Sequence, residues 1–157
     1  MEIFPINQSS RSRINAFLVH HWFTTDMVVH GECIDLGKSD GLYALEHEEI
    51  TGLVTYRIRQ NEMEILSLDS VYENRGIGTA LLNAAIQTAT NRQCSRIMLI
   101  TTNDNIKALS FYQKRGFDLV RLYRNAVEQA RAVKPEIPLT GENGIPVKHE
   151  IELEMII

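Results

Sequence analysis

The chain has 157 residues, 44% of them hydrophobic, which suits one domain over residues 1–157 with a single core. Sixteen Lys and Arg residues against twenty Asp and Glu residues give a net charge of -4, so the basic surplus typical of nucleic-acid-binding proteins is absent. The apolar runs span only a few residues, and residues 1–5 lack the basic and hydrophobic stretches of a signal peptide. We therefore expect a cytoplasmic protein that binds neither nucleic acid nor membrane.

The two cysteines and five histidines do not form a recognisable ligand set. Cys33 and Cys94 are far apart in the sequence and neither belongs to a CxxC motif, so we expect two buried thiols and no disulfide. The adjacent residues His20 and His21 would point in different directions from a helix or a strand. We therefore predict no metal cofactor.

The first third of the chain predicts a strand, a helix and the start of an antiparallel meander. Ser9 and Ser10 are expected to cap the helix, whose apolar side carries Ile14, Phe17 and Leu18. The predicted segments are a strand over 1–6, a helix that ends near 20–22, an extended stretch over 27–36, and a hairpin of strands 41–46 and 50–59.

The middle of the chain predicts a strand, a buried helix and a second strand parallel to the first. In the strand over residues 62–70, alternation places Met63 and Ile65 on one face. The opposite face then carries Glu62, Glu64, Leu66 and Leu68. A mostly buried helix follows over 76–91. The apolar strand 97–100 after it requires a parallel neighbour and a crossover helix, and strand 62–70 supplies that neighbour.

The last third predicts two helices, two strands and an irregular loop. The segments are a helix over 105–115 capped by Asn103 and Asp104, a strand over 117–123, a short helix near 125–131, a Pro/Gly-rich loop over 135–146 and a terminal strand over 150–157. Gly116 is expected to end its helix in left-handed geometry. The predicted fold class is therefore α+β, with antiparallel strands at both ends of the chain and one strand-helix-strand crossover between them.

A glycine-containing turn, Glu73-Asn74-Arg75-Gly76-Ile77-Gly78-Thr79, joins strand 62–70 to the buried helix. Such a turn presents unpaired backbone N–H groups and the positive end of the helix dipole, so a phosphate group fits there. Gly76 and Gly78 allow close approach of a ligand to the main chain, and Arg75 adds a positive charge. Taken alone, the turn is equally consistent with glycines that only begin a helix. The complete ATP-binding and dinucleotide-binding motifs are absent, which argues against ATP and NAD.

The helix over 105–115 carries an asparagine and a tyrosine on one stripe. Asn105 and Tyr112 are seven residues apart, with the small Ala108 between them. A ligand along this stripe would hydrogen-bond the Asn105 amide at one end and meet the Tyr112 hydroxyl at the other. The alternative is that Asn105 begins the helix and Tyr112 packs in the core.

The order of these parts is more specific than any one of them. An alternating strand, a GxG turn with a buried helix, an apolar strand and the pattern Asn-x-x-Ala-x-x-x-Tyr-x-x-x-Gly-Phe succeed one another over residues 62–117. This arrangement resembles the GNAT superfamily of N-acetyltransferases. The resemblance implies a mixed, mostly antiparallel central sheet with a central crossover and helices on both faces. It also implies acetyl-CoA as co-substrate and direct transfer, in a ternary complex, to a primary amine of a small molecule or peptide.

The resemblance further implies which residues contact acetyl-CoA. The pyrophosphate would lie on the turn, at Asn74, Arg75, Gly76, Gly78 and Thr79. The pantetheine arm would pair with the backbone around Leu66 and Leu68, while Asn105 would contact the cofactor and Tyr112 would lie by the sulfur. Glu73 departs from the Gln or Arg that is usual in the family, so we expect CoA affinity to be weaker or differently tuned.

Direct transfer also requires a base and an acid. An alkylamine must lose a proton before it attacks, because the reference pKa of a lysine amine is about 10.4. Glu64 is the predicted base, directly or through a water, and Glu62 is the alternative. Tyr112 is expected to protonate the leaving CoA thiolate, and the Leu68 backbone N–H is expected to polarise the thioester carbonyl.

The acceptor site is expected along residues 20–27 and the Pro/Gly-rich loop 135–146. Trp22 and Phe23 would form an apolar wall and Asp26 would attract a cation, although core packing is the simpler account of Trp22. Further acids on the terminal strand either bias the surface toward cationic acceptors or form a solvated strand face; these are Glu150, Glu152 and Glu154.

Two other functions fit the same motifs. One is a non-catalytic acyl-CoA sensor or interaction module, and the other is a transferase of an acyl group longer than acetyl. A homodimer through the terminal strand or the Pro/Gly-rich loop is also a possible assembly.

Overall fold

The structure is a computed structural model that describes all 157 residues. The elements are, in chain order, β1 (Glu2–Pro5), α1 (Arg11–Trp22), β2 (Asp26–Val29), β3 (Glu32–Asp35), a 3₁₀ turn (Leu36–Lys38), β4 (Asp40–Glu46), β5 (Glu49–Arg59), β6 (Glu62–Ser70), α2 (Ile77–Asn91), β7 (Arg96–Thr102), α3 (Ile106–Gln113), β8 (Asp118–Tyr123), α4 (Ala126–Val133) and β9 (Glu150–Ile156). This order confirms most of the predicted elements to within a few residues.

The chain forms two compact units, and β7 begins in the first and ends in the second. The first unit comprises residues 1–26, 35–97 and 157, and the second comprises residues 27–34 and 98–156. In the first unit the strand order is β1-β4-β5-β6 followed by β7, and in the second it is β7-β9-β8. The pairs β1-β4, β4-β5, β5-β6 and β8-β9 are antiparallel, as the α+β prediction requires.

The terminal strand β9 lies between β7 and β8. Both of its edges therefore have strand neighbours, and it offers no edge to a second chain. Edge pairing of β9 with a second chain is therefore excluded, and a homodimer through another surface of the terminal strand or through the Pro/Gly-rich loop 135–146 stays a prediction.

Helix α1 buries the predicted residues Ile14, Phe17 and Leu18. Its N-cap is Ser10, but the Ser10 side chain makes no capping hydrogen bond. Instead, Asn7 Oδ1 accepts a hydrogen bond from the Ser10 N–H at 3.0 Å. The prediction is thus confirmed for Ser10 as the N-cap residue but not for a capping serine hydroxyl, because a turn centred on Asn7 organises the start of the helix.

The predicted extended stretch 27–36 is divided into β2 and β3 by a tight turn. His30 and Gly31 have φ values of 56° and 73°, the left-handed geometry of a two-residue hairpin turn. The turn between β4 and β5 has the same character, since His47 and Glu48 also have positive φ. No α-helix forms between β2 and β4, so only the 3₁₀ turn at Leu36–Lys38 is helical there.

Helix α2 packs closely on one face of the first unit's sheet. A Cβ on Gly52 of β5 would lie 2.6 Å from Ile77 Cγ2 and 2.8 Å from Leu81 Cδ1, so only glycine fits at this point. We call this the α2 face of β5 and β6. The opposite face is called the α1 face, because a hydrogen bond from Trp22 of α1 reaches it at Asp69 of β6.

Strand β6 contains a bulge that changes its faces. Thr55 of β5 pairs with Ser67, but the next residue, Tyr56, pairs with Ile65, which leaves Leu66 as an extra residue. Because Glu64 pairs with Arg57 and Leu68 pairs with Val54, Glu64 and Leu68 lie on opposite faces. The prediction that Glu64 shares a face with Leu68 is therefore wrong.

Candidate active site

The turn before α2 has the geometry that an anion site requires. Asn74 and Gly76 have φ values of 59° and 77°, and the helix begins immediately afterwards at Ile77. Gly76 is the N-cap, and no side chain caps this helix end. The N–H groups in the first turn of a helix have no carbonyl partner within the helix, and in α2 they include that of Gly78. A Cβ on Gly76 would meet nothing within 4 Å, so the main chain here is open to a ligand.

These features fit the pyrophosphate of CoA. The positive end of the α2 dipole adds to the N–H groups, and both favour a negatively charged guest. Glu73 lies exposed in the same turn. The contacts predicted for the turn residues remain predictions.

Arg75, the predicted cation of the turn, is held by neighbours in the first unit. Its Nη2 lies 3.4 Å from Glu46 Oε2, and its guanidinium lies 4.9 Å from the ring centroid of Tyr72. The Arg75 side chain is 54% exposed, so this ion pair is weak, on the order of 1 kcal/mol or less. The geometry therefore leaves Arg75 able to exchange Glu46 for a phosphate.

The predicted base Glu64 is engaged by arginines. Arg57 Nε donates to Glu64 Oε2 at 2.6 Å, and Arg59 Nη2 lies 3.9 Å from the same oxygen. The alternative base, Glu62, pairs with Arg96, whose Nε lies 3.0 Å from Glu62 Oε1. Both carboxylates therefore already have arginine partners within the first unit.

Asp69, near the end of β6, is a candidate that sequence reasoning missed. Strict alternation puts it on the face of Met63 and Ile65, but the bulge at Leu66 moves it to the α1 face, where Trp22 donates a hydrogen bond to its carboxyl. Burial raises the pKa of Asp69 to about 6, and this hydrogen bond partly opposes the rise. No residue pattern singles out Asp69, because the same strand also carries Glu62, Glu64 and two serines.

The predicted residues on α3 lie in the second unit. Asn105 is the N-cap of this helix, and its Oδ1 accepts from the Ala108 N–H at 3.2 Å. The cap is thus Asn105, and the prediction of Asn103 and Asp104 as caps is wrong. Tyr112 is buried, with its ring centroid 5.3 Å from that of Phe117. Asn105 therefore begins the helix, and only its amide NH₂ group remains for a cofactor.

The predicted acceptor residues have different surroundings. Trp22 is 36% exposed and hydrogen-bonds Asp69, so it is not a simple core residue. Phe23 is 91% exposed and ends α1 in a left-handed conformation with φ 63°. Asp26 is exposed at the start of β2. The structure thus brings Trp22 and Asp69 together and leaves Phe23 projecting from the surface.

The acids of β9 do not form a solvated strand face. Glu150 and Glu152 are only 4% and 7% exposed. Glu150 accepts from the His30 N–H, and Glu152 accepts from the Tyr123 hydroxyl at 2.9 Å. Both carboxylates are therefore structural partners within the second unit, because neighbouring donors satisfy them.

Other sequence-based expectations concern cysteines, metals and membranes. Cys94 is buried, but Cys33 is exposed, so the prediction of two buried thiols is half wrong. The structure holds no group of three or more His, Cys, Asp or Glu side chains arranged to bind a metal ion. None of the helices combines the length and the apolar character that crossing a membrane requires.

Comparisons with known proteins decide the family. A model of the acetyltransferase (GNAT) family matches residues 8–117. The chain belongs to the GNAT acetyltransferase family. This GNAT chain is 47% identical over 154 residues to the uncharacterized protein YxbD of Bacillus subtilis (strain 168), a match that covers 98% of this chain and 97% of the relative.

Two further relatives of this GNAT chain carry more descriptive names. Human N-alpha-acetyltransferase 30 is 31% identical over 99 residues, which is 56% of this chain and 27% of the relative. A GNAT family acetyltransferase from Elizabethkingia anophelis, solved with acetyl-CoA bound, matches with a TM-score of 0.71 and 21% identity, covering 99% of this chain and 97% of that one. These findings confirm the resemblance, the GNAT fold and the assignment as an acetyltransferase.

Proposed function

We propose that this GNAT protein transfers an acetyl group from acetyl-CoA directly to a primary amine of a small molecule or peptide. The observation that carries the proposal is the turn before α2, where the N-cap is a glycine and no side chain makes a capping hydrogen bond. That turn suits the pyrophosphate of CoA. The name of the relative N-alpha-acetyltransferase 30 supports including peptide α-amino groups among the acceptors.

The proposed chemistry divides into binding and proton transfer. Asn74, Arg75, Gly76, Gly78 and Thr79 bind the pyrophosphate, and the backbone near Leu66 and Leu68 pairs with the pantetheine arm. The Asn105 amide also contacts CoA, and the Leu68 N–H polarises the thioester carbonyl. The bulge supports the pantetheine role, because an extra residue at Leu66 interrupts the regular pairing of β6 with β5.

Proton transfer requires an acid for the leaving group. Acetyl transfer forms a C–N bond and breaks the C–S bond, and the CoA thiolate then takes a proton. Tyr112 is the proposed donor, because a phenol with an ordinary pKa of about 10 can protonate a thiolate as it leaves. Its burial supports this role, since it limits the positions that the hydroxyl can adopt.

The test is an acceptor panel with two readouts. The purified protein is incubated with acetyl-CoA and one acceptor at a time. The acceptors are an alkylamine, a free amino acid, a peptide with an open amino terminus and an amino-blocked peptide containing lysine. Released CoA is measured with a thiol reagent, and acetylation is measured as the mass gain of the acceptor. We expect one class to be acetylated, and Tyr112→Phe to lower the rate by about 10²-fold with CoA binding retained.

The same panel, repeated with a longer acyl-CoA and accompanied by calorimetric titration of CoA, separates the alternatives. CoA binding without acetylated product across the panel would contradict the enzyme and support an acyl-CoA sensor. Faster transfer from a longer acyl-CoA than from acetyl-CoA would show that the longer acyl group is the preferred group for transfer.

A further inference from the structure

Asp69 has a partly satisfied carboxyl group in a buried position. Trp22 hydrogen-bonds the carboxyl, but Oδ2 is buried and has no hydrogen-bond partner. The hydrogen bond from Trp22 is therefore accepted by Oδ1. An unsatisfied buried carboxylate oxygen is costly, so its presence needs an explanation.

A second unsatisfied atom lies on the same face. Leu53 pairs with Asp69, and Thr51 lies two residues from Leu53 on β5, so Thr51 and Asp69 both lie on the α1 face. Thr51 Oγ1 is also buried without a partner. Two buried polar atoms on one face that lack protein partners indicate a place for a polar guest.

The charged and titratable groups near Asp69 lie on α1 and on the neighbouring strands. On α1, the neighbouring titratable side chains are the exposed His20 and His21, and burial followed by the charge of His20 lowers the pKa of His21. On the strands, the α1 face also carries Arg57 and Glu64, which pair with each other. Burial raises the pKa of Asp69, and the Trp22 hydrogen bond lowers it in part.

We infer that Asp69, positioned by Trp22, takes the proton from the ammonium group of the acceptor. The inference rests on the proposed acetyltransferase function and names the base of that reaction. Glu64 is less suited to the task because its carboxylate already accepts from Arg57 at 2.6 Å. Asp69, in contrast, has a buried oxygen that no protein group occupies.

The proton balance of the step is complete. The Asp69 carboxylate takes one proton from the R–NH₃⁺ group and becomes a neutral acid. The amine lone pair then forms the C–N bond, the C–S bond breaks, and the thiolate receives the second amine proton by way of the acid proposed above. Asp69 returns its proton to water, so the net products are the amide, CoA thiol and one proton.

The raised pKa of Asp69 is compatible with this role. With a pKa of about 6, the carboxyl is about nine-tenths ionised at neutral pH. It is a stronger base than an ordinary aspartate, and its pKa lies near the pH at which it works. Trp22 is a positioning residue, because it acts through the carboxyl that it holds.

The experiment compares pH profiles of kcat/KM for the full chain with the best acceptor of the panel. We expect wild type to lose activity in acid with an apparent pKa of about 6. Asp69→Asn should lower kcat/KM by about 10²-fold at neutral pH and remove this acid limb. Trp22→Phe keeps an aromatic side chain but replaces the indole and its N–H by a phenyl ring, so it should move the limb to higher pH, by about half a unit or more. Asp69→Glu should restore part of the lost rate.

The controls separate catalysis from folding. Asp118→Asn removes an exposed aspartate at the start of β8 and should leave the profile unchanged. If Asp69→Asn does not fold, the Trp22→Phe profile decides alone, because a purely structural role lowers the rate equally at every pH and would overturn the inference.

Three other results would also overturn the inference. One is an Asp69→Asn variant that binds CoA and keeps the wild-type profile. Another is loss of the acid limb in Glu64→Gln but not in Asp69→Asn, which would return the base to Glu64. Absence of any acetylated acceptor for wild type would remove the proposed function itself, and the inference with it.

Discussion

Gly76 sets the geometry at which the proposed pyrophosphate site begins. Its φ of 77° is left-handed, and a side chain at this residue would project into open space. Gly76→Ala and Gly76→Asp should therefore each cost about 1 kcal/mol of folding free energy from backbone strain. The aspartate alone adds a negative charge beside the phosphates, so Gly76→Asp should weaken CoA binding at least about tenfold more than Gly76→Ala.

The measurement is calorimetric titration of CoA into both variants, with urea unfolding to compare their stabilities. Equal CoA affinity in Gly76→Asp and wild type would contradict the assignment of the turn. The alanine variant is the matched control, because it shares the strain without the charge.

Asp69 makes stability depend on pH in a direction opposite to that of a salt-bridged carboxylate. Its pKa is raised in the folded chain, mainly by burial, so the unfolded chain ionises first as pH rises. Below the ordinary aspartate pKa the group is neutral in both states, and between there and about 6 the folded state loses stability. Relative to Asp69→Asn, wild type should lose about 2 kcal/mol between about pH 4.5 and about pH 7.5.

Urea unfolding of the two proteins at both pH values checks this expectation. A difference between them that does not change with pH, or that favours wild type at the higher pH, would show that the Asp69 carboxyl is not destabilised by burial.

At the residue scale, the sequence indicated the backbone role of a residue more readily than its burial or its hydrogen-bond partners. The left-handed geometry of Gly116 was predictable because a glycine just after a helix is a common C-terminal signal, and its φ is 93°. The burial of Asp69 was not predictable, because it depends on a bulge at Leu66 that no residue pattern marks. Glu150 was predicted either to face solvent or to attract cationic acceptors. Its buried carboxylate instead accepts a hydrogen bond from the His30 backbone N–H, 120 positions away in the chain.

At the scale of elements, α3 offers a way to separate a structural role from a binding role. Asn105 caps the helix through Oδ1, and only its amide NH₂ group can donate to CoA. Asn105→Ala should lose the cap and destabilise the protein by about 1 kcal/mol. Asn105→Asp keeps a capping oxygen but has no donor, so it should retain stability and bind CoA more weakly.

Thermal unfolding and CoA titration of both variants test the two roles independently. Unchanged CoA affinity in Asn105→Asp would confine Asn105 to capping.

The boundaries of the elements were predictable from local sequence patterns. The errors arose where contacts with a distant part of the chain determine the local structure. The hairpin of β4 and β5 was predictable from alternation and a short polar turn. The turn at His30 and Gly31 was missed, although a glycine after a polar residue is a common hairpin signal. The faces of β6 were assigned by alternation, which fails wherever a bulge adds a residue.

At the scale of the whole molecule, the GNAT fold was predictable because the order of motifs carries long-range information that composition lacks. A strand, a glycine turn, a helix, a strand and a second helix with its tyrosine occur in that order over residues 62–117, and the family match over residues 8–117 includes all of this stretch. The place of β9 between β7 and β8 was not predictable, because strand neighbours are set by packing across the chain.

The central claim is that the main-chain amides at the start of α2 hold the diphosphate of CoA. A crystal structure of the protein with CoA tests it most directly. We predict density for the two phosphates within hydrogen-bond distance of the backbone N–H groups of residues 76–79. Ordered phosphate density bound at any other part of the chain would contradict the account.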